Sequence, residues 1–291
     1  MRHLLLGTDW GEDCDDAVAV RLLARKHAAG EIDLCGIGIN TRFDGSVPSL
    51  TAFLEREGVS VPIGIDRGCP ELHGRITYQK RLAAYCPDLT NADAEDAVRL
   101  YRRLLAEARE PIEIMEIGFL QIIAAALMSG GDDISPKTGS ELFREKVAHV
   151  WIMGGRWDVE NGKEYNFSRD AIACRAAAEL VARCPVPITF LGWEVGATVI
   201  TGGHLPEGDA LGDVLRDYGN PKGRMSWDPM LVHLAVIGDP ARAGYTAVRG
   251  TATVDPDTGV NRFTCGEGSH RYVVKAKEDS FYAAAIDEII G

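Results

Sequence analysis

Apolar runs of strand length alternate with segments of helical period along most of the chain. Residues 3–8, 33–39, 112–117, 147–153 and 187–191 read as strands, and residues 17–28, 47–57, 94–108, 120–128 and 171–182 read as helices. Repeated strand–helix units of this kind predict an α/β fold, a mainly parallel central sheet with helices on both faces. Ligands of such sheets sit beyond the carboxyl ends of the strands. The search for function therefore narrows to the residues that follow each strand.

Two stretches, 66–91 and 202–226, exceed ordinary connection lengths and are candidate flaps over a site. Past Asp239 the pattern shortens to strand-like runs at 245–254 and 271–275 and a closing helix at 279–290, a hairpin or edge addition to the same unit. No internal repeat, low-complexity tract or Pro/Gly/Ser linker divides the chain, so residues 1–291 are expected to form a single domain.

Composition narrows the classes. The 31 Lys and Arg stand against 43 Asp and Glu, a formal charge of −12, with no basic block. That balance argues against nucleic acid or an anionic membrane surface as the main partner. No apolar run approaches the roughly 18 residues of a membrane span. The start, Met1 to Asp9, lacks a secretory apolar region and cleavage site, and the seven cysteines form no Cys-x-x-Cys pair. Reduced thiols and a cytoplasmic location are the expectation.

The chemistry is concentrated after the first strand. Asp9-Trp10-Gly11-Glu12-Asp13-Cys14-Asp15-Asp16 carries five carboxylates in eight residues. Capping of the following helix accounts for two of them at most. Five crowded like charges repel one another unless a cation neutralises them, and a hard oxygen cluster selects Ca²⁺ or Mg²⁺. The spacing is not that of an EF-hand, because loop positions six and twelve hold Cys14 and Val20. Residues 36–41 lack the third glycine of a dinucleotide fingerprint, Gly162-Lys163 lacks the frame of a P-loop, and no Gly-x-Ser-x-Gly elbow occurs.

Strand, Asp-x-Gly-x-Asp-x-Asp-Asp, then an Ala/Val-rich helix resembles the N-terminal signature of the inosine-uridine-preferring nucleoside hydrolases. Further motifs follow in the same order: Ile117-Gly118-Phe119-Leu120, Met153-Gly154-Gly155, Glu164-Tyr165-Asn166-Phe167 with Asp170, and Ser226-Trp227-Asp228-Pro229. The resemblance implies a Ca²⁺-dependent hydrolase that cuts the N-glycosidic bond of ribonucleosides. It implies a cation held by Asp9, Asp16, the carbonyl of Ile117 and Asp228, with the ribose diol completing the shell. Asp9 would be the catalytic base that takes a proton from the attacking water. Asp15, Asn40, Met153, Glu164, Asn166 and Trp227 would bind substrate, Asn40 and Asn166 having turn or capping chemistry as their plain alternative and Met153 core packing. Relatives imply a homo-oligomer, dimer or tetramer.

Two departures from the family pattern stand out. Trp227 occupies the place of a His that protonates the leaving base, and Trp is no general acid; Tyr78, Tyr218, Arg224 or His73 could supply a donor instead, with Trp227 stacking on the base. Gly7 stands where many relatives carry a supporting Asp. A nucleoside or ribose sensor that keeps the metal grip without catalysis is the alternative these departures allow. A Mg²⁺-dependent phosphohydrolase using the early Asp as nucleophile is a third reading, disfavoured because its Asp-x-Asp pair would need an Asp where Gly11 stands. Glu116, Gln121 and Glu194 also fall near strand ends, with positioning and structural roles both open.

Overall fold

The computed structural model describes residues 1–69, 71–72 and 77–291, so His73 lies outside the described residues. One ten-stranded sheet carries the fold. In chain order its strands are β1 (Arg2–Thr8), β2 (Ile32–Ile39), β3 (Ile63–Ile65), β4 (Glu95–Asp96), β5 (Ile112–Glu116), β6 (Val147–Met153), β7 (Ile188–Leu191), β8 (Tyr245–Val254), β9 (Asn261–Cys265) and β10 (His270–Lys275). Across the sheet they run β9-β8-β10-β7-β6-β5-β1-β2-β3-β4. Every neighbour pair from β10 to β4 is parallel, and the β8 pairings with β9 and β10 are antiparallel. The expected α/β class is the observed one.

The main helices are α1 (Asp15–Ala28), α2 (Ser46–Arg56), α3 (Ala97–Glu107), α4 (Gln121–Met128), α5 (Gly139–Lys146), α6 (Ala171–Arg183), α7 (Ala210–Tyr218), α8 (Trp227–Ile237) and α9 (Asp279–Ile290). They cover both faces. Alternation along β1 shows the two cores: Leu4 and Leu6 pack with α1 and α8, while Leu5 packs on the other side with α3 and α4 residues such as Tyr101 and Ile122. Local chemistry starts the helices where they start. Asp96 caps α3 by accepting from the amides of Val98 and Arg99, Asp170 caps α6, and Thr138 with Glu141 forms a capping box on α5.

Several elements differ from the sequence expectation. The 202–226 stretch is not irregular: it contains α7, capped by Asp209 and stopped by Gly219 in the left-handed region. Residues 79–83 inside 66–91 are likewise helical. Helix α8 shows no polar face, because Met230 to Ala235 are all buried, so it lacks the amphipathic period that marks a surface helix. No helix among the described residues is long and apolar enough to cross a membrane.

The chain runs outward from β1 through β2, β3 and β4, then returns to place β5 on the other flank of β1. That reversal makes a crevice beyond the carboxyl ends of β1 and β5, where α/β sheets bind ligands. Beneath it, Gly7 on β1 pairs in register with Glu116 on β5. A Cβ on Gly7 would come 1.9 Å from Glu116 Oε2, so the Glu116 carboxyl fills the space that a side chain at position 7 would need. The missing Asp of the family pattern thus has a neighbour-strand carboxyl in its volume.

Gly7→Asp is accordingly expected to destabilise the fold by at least the roughly 1–3 kcal/mol of an overpacked core. Glu116→Gly in the same chain should recover most of that loss in denaturant unfolding; strictly additive effects would mean the two side chains do not share one space.

Candidate metal centre and active site

Asp9 follows β1 directly, in a turn that only glycine completes: Gly11 has φ 108°, and a Cβ there would strike the Gln79 amide. The turn is held from three sides. Tyr78 donates to the Asp13 carbonyl at 2.8 Å, Tyr218 to the Glu12 carbonyl at 3.0 Å, and Tyr165 to Glu12 Oε1 at 2.6 Å. Helix α1 begins at Asp15, two residues earlier than its apolar period indicates, so Asp15 and Asp16 stand in its first turn. Asp228 stands in the first turn of α8, whose Asp228 amide donates to Asp15 Oδ2 at 3.1 Å.

These elements bring the carboxylates of Asp9, Asp16 and Asp228 together, with one oxygen of each within 4.8 Å of the others. All three are buried, and so is Asp15. Thr8 donates its hydroxyl to Asp16 Oδ1, while Asp16 Oδ2 is buried without a hydrogen-bond partner. Burial is the largest influence on all four carboxyls, followed by the neighbouring acids. It raises Asp9 to about 8 and holds Asp15, Asp16 and Asp228 well above the usual carboxylate range. An orphaned buried oxygen within an all-oxygen donor set fits a hard divalent cation, which would offset both the burial and the repulsion.

The remaining expected residues apart from Asn40 surround a cleft of about 320 Å³ lined by Asp9, Asp15, Asp16 and Asp228. Ile117 lines it just past β5, and its carbonyl accepts from Asn166 Nδ2 at 3.2 Å. The same amide donates to the Met153 carbonyl at 3.1 Å, so one side chain ties the ends of β5 and β6. Glu164 is fixed by the amides of Asn166 and Gly155 at 2.8 and 3.0 Å; burial raises its carboxyl to about 7. Asn40 is not in the cleft wall. It is fully enclosed, accepting from the Phe119 amide at 3.2 Å, and its Nδ2 has no partner.

The far side of the cleft is aromatic. Trp227 and Trp193 lie near-parallel, centroids 6.5 Å apart at 28°, and Trp227 Nε1 donates to the Trp193 carbonyl at 2.8 Å. Arg224 lies over the Trp227 ring at 5.2 Å and is, among the described residues, the one basic side chain in the wall, held by Asp13 through Nε at 2.9 Å and through Nη2. Tyr78, considered above as a donor, is fully buried and committed to the Asp13 carbonyl, away from the cleft. Trp193 and the Asp13–Arg224 pair were missed, though Trp193 stands two residues past β7, where the strand-end rule points. Glu194 accepts from the Trp157 amide at 3.3 Å, and Gln121 donates to the Asn40 carbonyl, both bracing loops.

Raised carboxyls have a linkage sign. The folded cation-free protein binds more protons at Asp9 than the unfolded chain wherever pH lies between 3.8 and about 8, so its stability falls with rising pH across that window. Thermal melts of chelator-treated protein should show this fall, and saturating Ca²⁺ should flatten it; a calcium-insensitive slope would argue against a cation among these carboxyls.

The family model for inosine-uridine preferring nucleoside hydrolases matches residues 4–265. Among solved structures, the inosine-uridine preferring nucleoside hydrolase from Bacillus anthracis superposes with a TM-score of 0.74 at 14% identity, over 100% of this chain and 99% of that one. The purine-preferring ribonucleoside hydrolase from Gardnerella vaginalis gives 0.70 at 19%, over 99% of each. The type III effector XopQ, solved with adenosine diphosphate ribose, gives 0.72 at 18%, over 99% of this chain and 93% of that one. No curated protein matches the chain. At such identities the superpositions speak for the fold alone, and the family match supplies the rest: the chain belongs to the inosine-uridine preferring nucleoside hydrolase family, hydrolases acting on N-glycosyl compounds.

Proposed function

We propose that the chain is a Ca²⁺-dependent hydrolase that releases the base from ribonucleosides. The observation that carries this reading is the meeting of Asp9, Asp16 and Asp228, three carboxylates from distant parts of the chain, at the sheet's reversal point. With the Ile117 carbonyl they would hold the cation. Bound calcium would polarise the attacking water and grip the vicinal hydroxyls of the ribose.

The chain's own groups do the rest. Asp9, ionised beside the cation, accepts the water's proton as the water's oxygen bonds to C1′. The buried acids beneath the ring favour the positive charge that develops on the sugar as the bond to the base breaks. Asp15 receives the ribose hydroxyls, Asn166 and Glu164 bound its other end, Met153 packs beneath it, and Asn40 lies under the cleft holding the Phe119 amide.

The base would lie against Trp227 and Trp193. Arg224 supports its departure. Two of its donors face Asp13, which leaves Nη1 for the negative charge growing on the base. An arginine keeps its proton, so it stabilises the departing anion, which is protonated by solvent.

A panel of purine and pyrimidine ribonucleosides with Ca²⁺ should release base and ribose. Asp9→Asn should lose roughly 10²–10⁴-fold in kcat, and Arg224→Gln should slow nucleosides far more than a riboside of an acidic phenol, whose leaving group needs no assistance. Intact return of every tightly bound nucleoside would favour the sensor reading, and Asp9→Asn at wild-type rate would overturn the assigned base.

A further inference from the structure

A second group of metal-ligating atoms lies at the opposite end of β1 and β2. His3 and Asp33 are register partners, with His3 Nδ1 at 2.8 Å from Asp33 Oδ2. The β1–β2 register then shifts: Leu4 pairs with Leu34 but Leu5 with Gly36. Cys35 is the residue left over, and bulges of this kind re-aim a side chain. Its Sγ is 3.7 Å from Asp33 Oδ2, and one ligand atom from each of the three residues lies within 4.8 Å of the others.

We propose that His3, Asp33 and Cys35 form a second cation site, distinct from the cleft, that takes Zn²⁺ or a similar borderline transition ion. Zn–N bonds of about 2.0 Å and Zn–S bonds of about 2.3 Å in tetrahedral array put ligand atoms roughly 3.3–3.8 Å apart, a spacing the observed gaps bracket. The ligand chemistry is also distinct. Nitrogen, sulfur and one oxygen select a softer ion than the all-oxygen set around Asp9.

The surroundings suit an ion. The three residues line a cavity of about 470 Å³ that also receives His27 and Glu107, and each is partly exposed, which gives an entry path. His27 Nδ1 accepts the Leu34 amide at 3.0 Å, which commits that nitrogen to the backbone and keeps it out of the ligand set. The fourth position is left to water. Burial, with Asp33 adding to it, pushes the Cys35 thiol up to about 12. A bound cation reverses that balance and draws the proton off.

The test uses the untagged full chain, stripped with chelator and then saturated with Ca²⁺ at the cleft. Titration with Co²⁺ should give one equivalent with thiolate-to-cobalt charge-transfer absorption, and Zn²⁺ should displace it. Cys35→Ser should abolish the absorption and weaken Zn²⁺ by more than the roughly 10–100-fold that even outer partners supply. His3→Gln should weaken Zn²⁺ in parallel, and Asp228→Asn should leave the absorption intact; circular dichroism checks that each variant is folded. Absence of the absorption in the wild type, or its survival in Cys35→Ser, overturns the proposal. Because the readout is spectroscopic, failure here leaves the hydrolase reading untouched, and loss of nucleoside hydrolysis in Asp9→Asn says nothing about this site.

Discussion

Four carboxyls, Asp9, Asp15, Asp16 and Asp228, are withdrawn from water at one point of the molecule. Ionised carboxylates in such a place are costly unless charge or hydrogen bonds compensate them. The surrounding architecture supplies part of that compensation. Helices α1 and α8 both begin at the site, with Asp15 and Asp16 in the first turn of one and Asp228 in the first turn of the other. Their amino ends carry partial positive charge, and the Asp228 amide pairs directly with Asp15. Arg224 adds a full charge at the edge, through Asp13. The buried Asp16 Oδ2 keeps no partner, and a divalent ion is the compensation that suits it.

The sheet makes this convergence possible. Because the chain leaves β1 in one direction and returns to its other flank, the turns after β1 and β5 face one crevice, and the Asn166 amide bridges the carbonyls that end β5 and β6. The same order explains why Glu116 can occupy the space above Gly7: the two residues are register partners on adjacent strands. A carboxyl absent from β1 is present from β5, although among the described residues it is Tyr101, and not a metal ligand, that hydrogen-bonds it.

Much of this was legible in the chain. The five strands with strong apolar runs were found within a residue or two, and Asp9, Asp16 and Asp228 were placed by motif on the elements that unite them. Strands β3 and β4, of three and two residues, were too short to show a period. Helix α8 hid for the opposite reason, being buried on all sides from Asp228 to Ala235 and so without a polar stripe. The Asp209 cap and Gly219 stop of α7 were visible signals, overridden by the surrounding glycines and prolines. Most of what was missed in the cleft is pairwise. Nothing along the chain says that Asp13 meets Arg224 across 211 positions or that Trp193 lies beside Trp227, because such contacts depend on how loops cross above the sheet.

Stability has been given up locally to build the site. Asp16 Oδ2, Asn40 Nδ2, Glu116 Oε2 and Gln121 Oε1 all lie buried without hydrogen-bond partners near the β1–β5 crevice, and each such atom ordinarily costs about 1–3 kcal/mol. A fold indifferent to function would replace them with apolar groups. Orphaned buried atoms occur elsewhere too, at Arg2 Nε, His233 Nδ1 and Tyr245 OH, but these four share the crevice with the acidic cluster, where a preorganised site would need them. Polar groups of such a site must already be in position before a ligand arrives to satisfy them. Gly118 shows how tight that arrangement is: a single methyl there would lie within 2.8 Å of both Asp9 Oδ1 and Asn40 Oδ1. On the side facing Gly118, then, the Asp9 carboxylate is backed so closely that no side chain fits behind it, while its other side opens on the cleft.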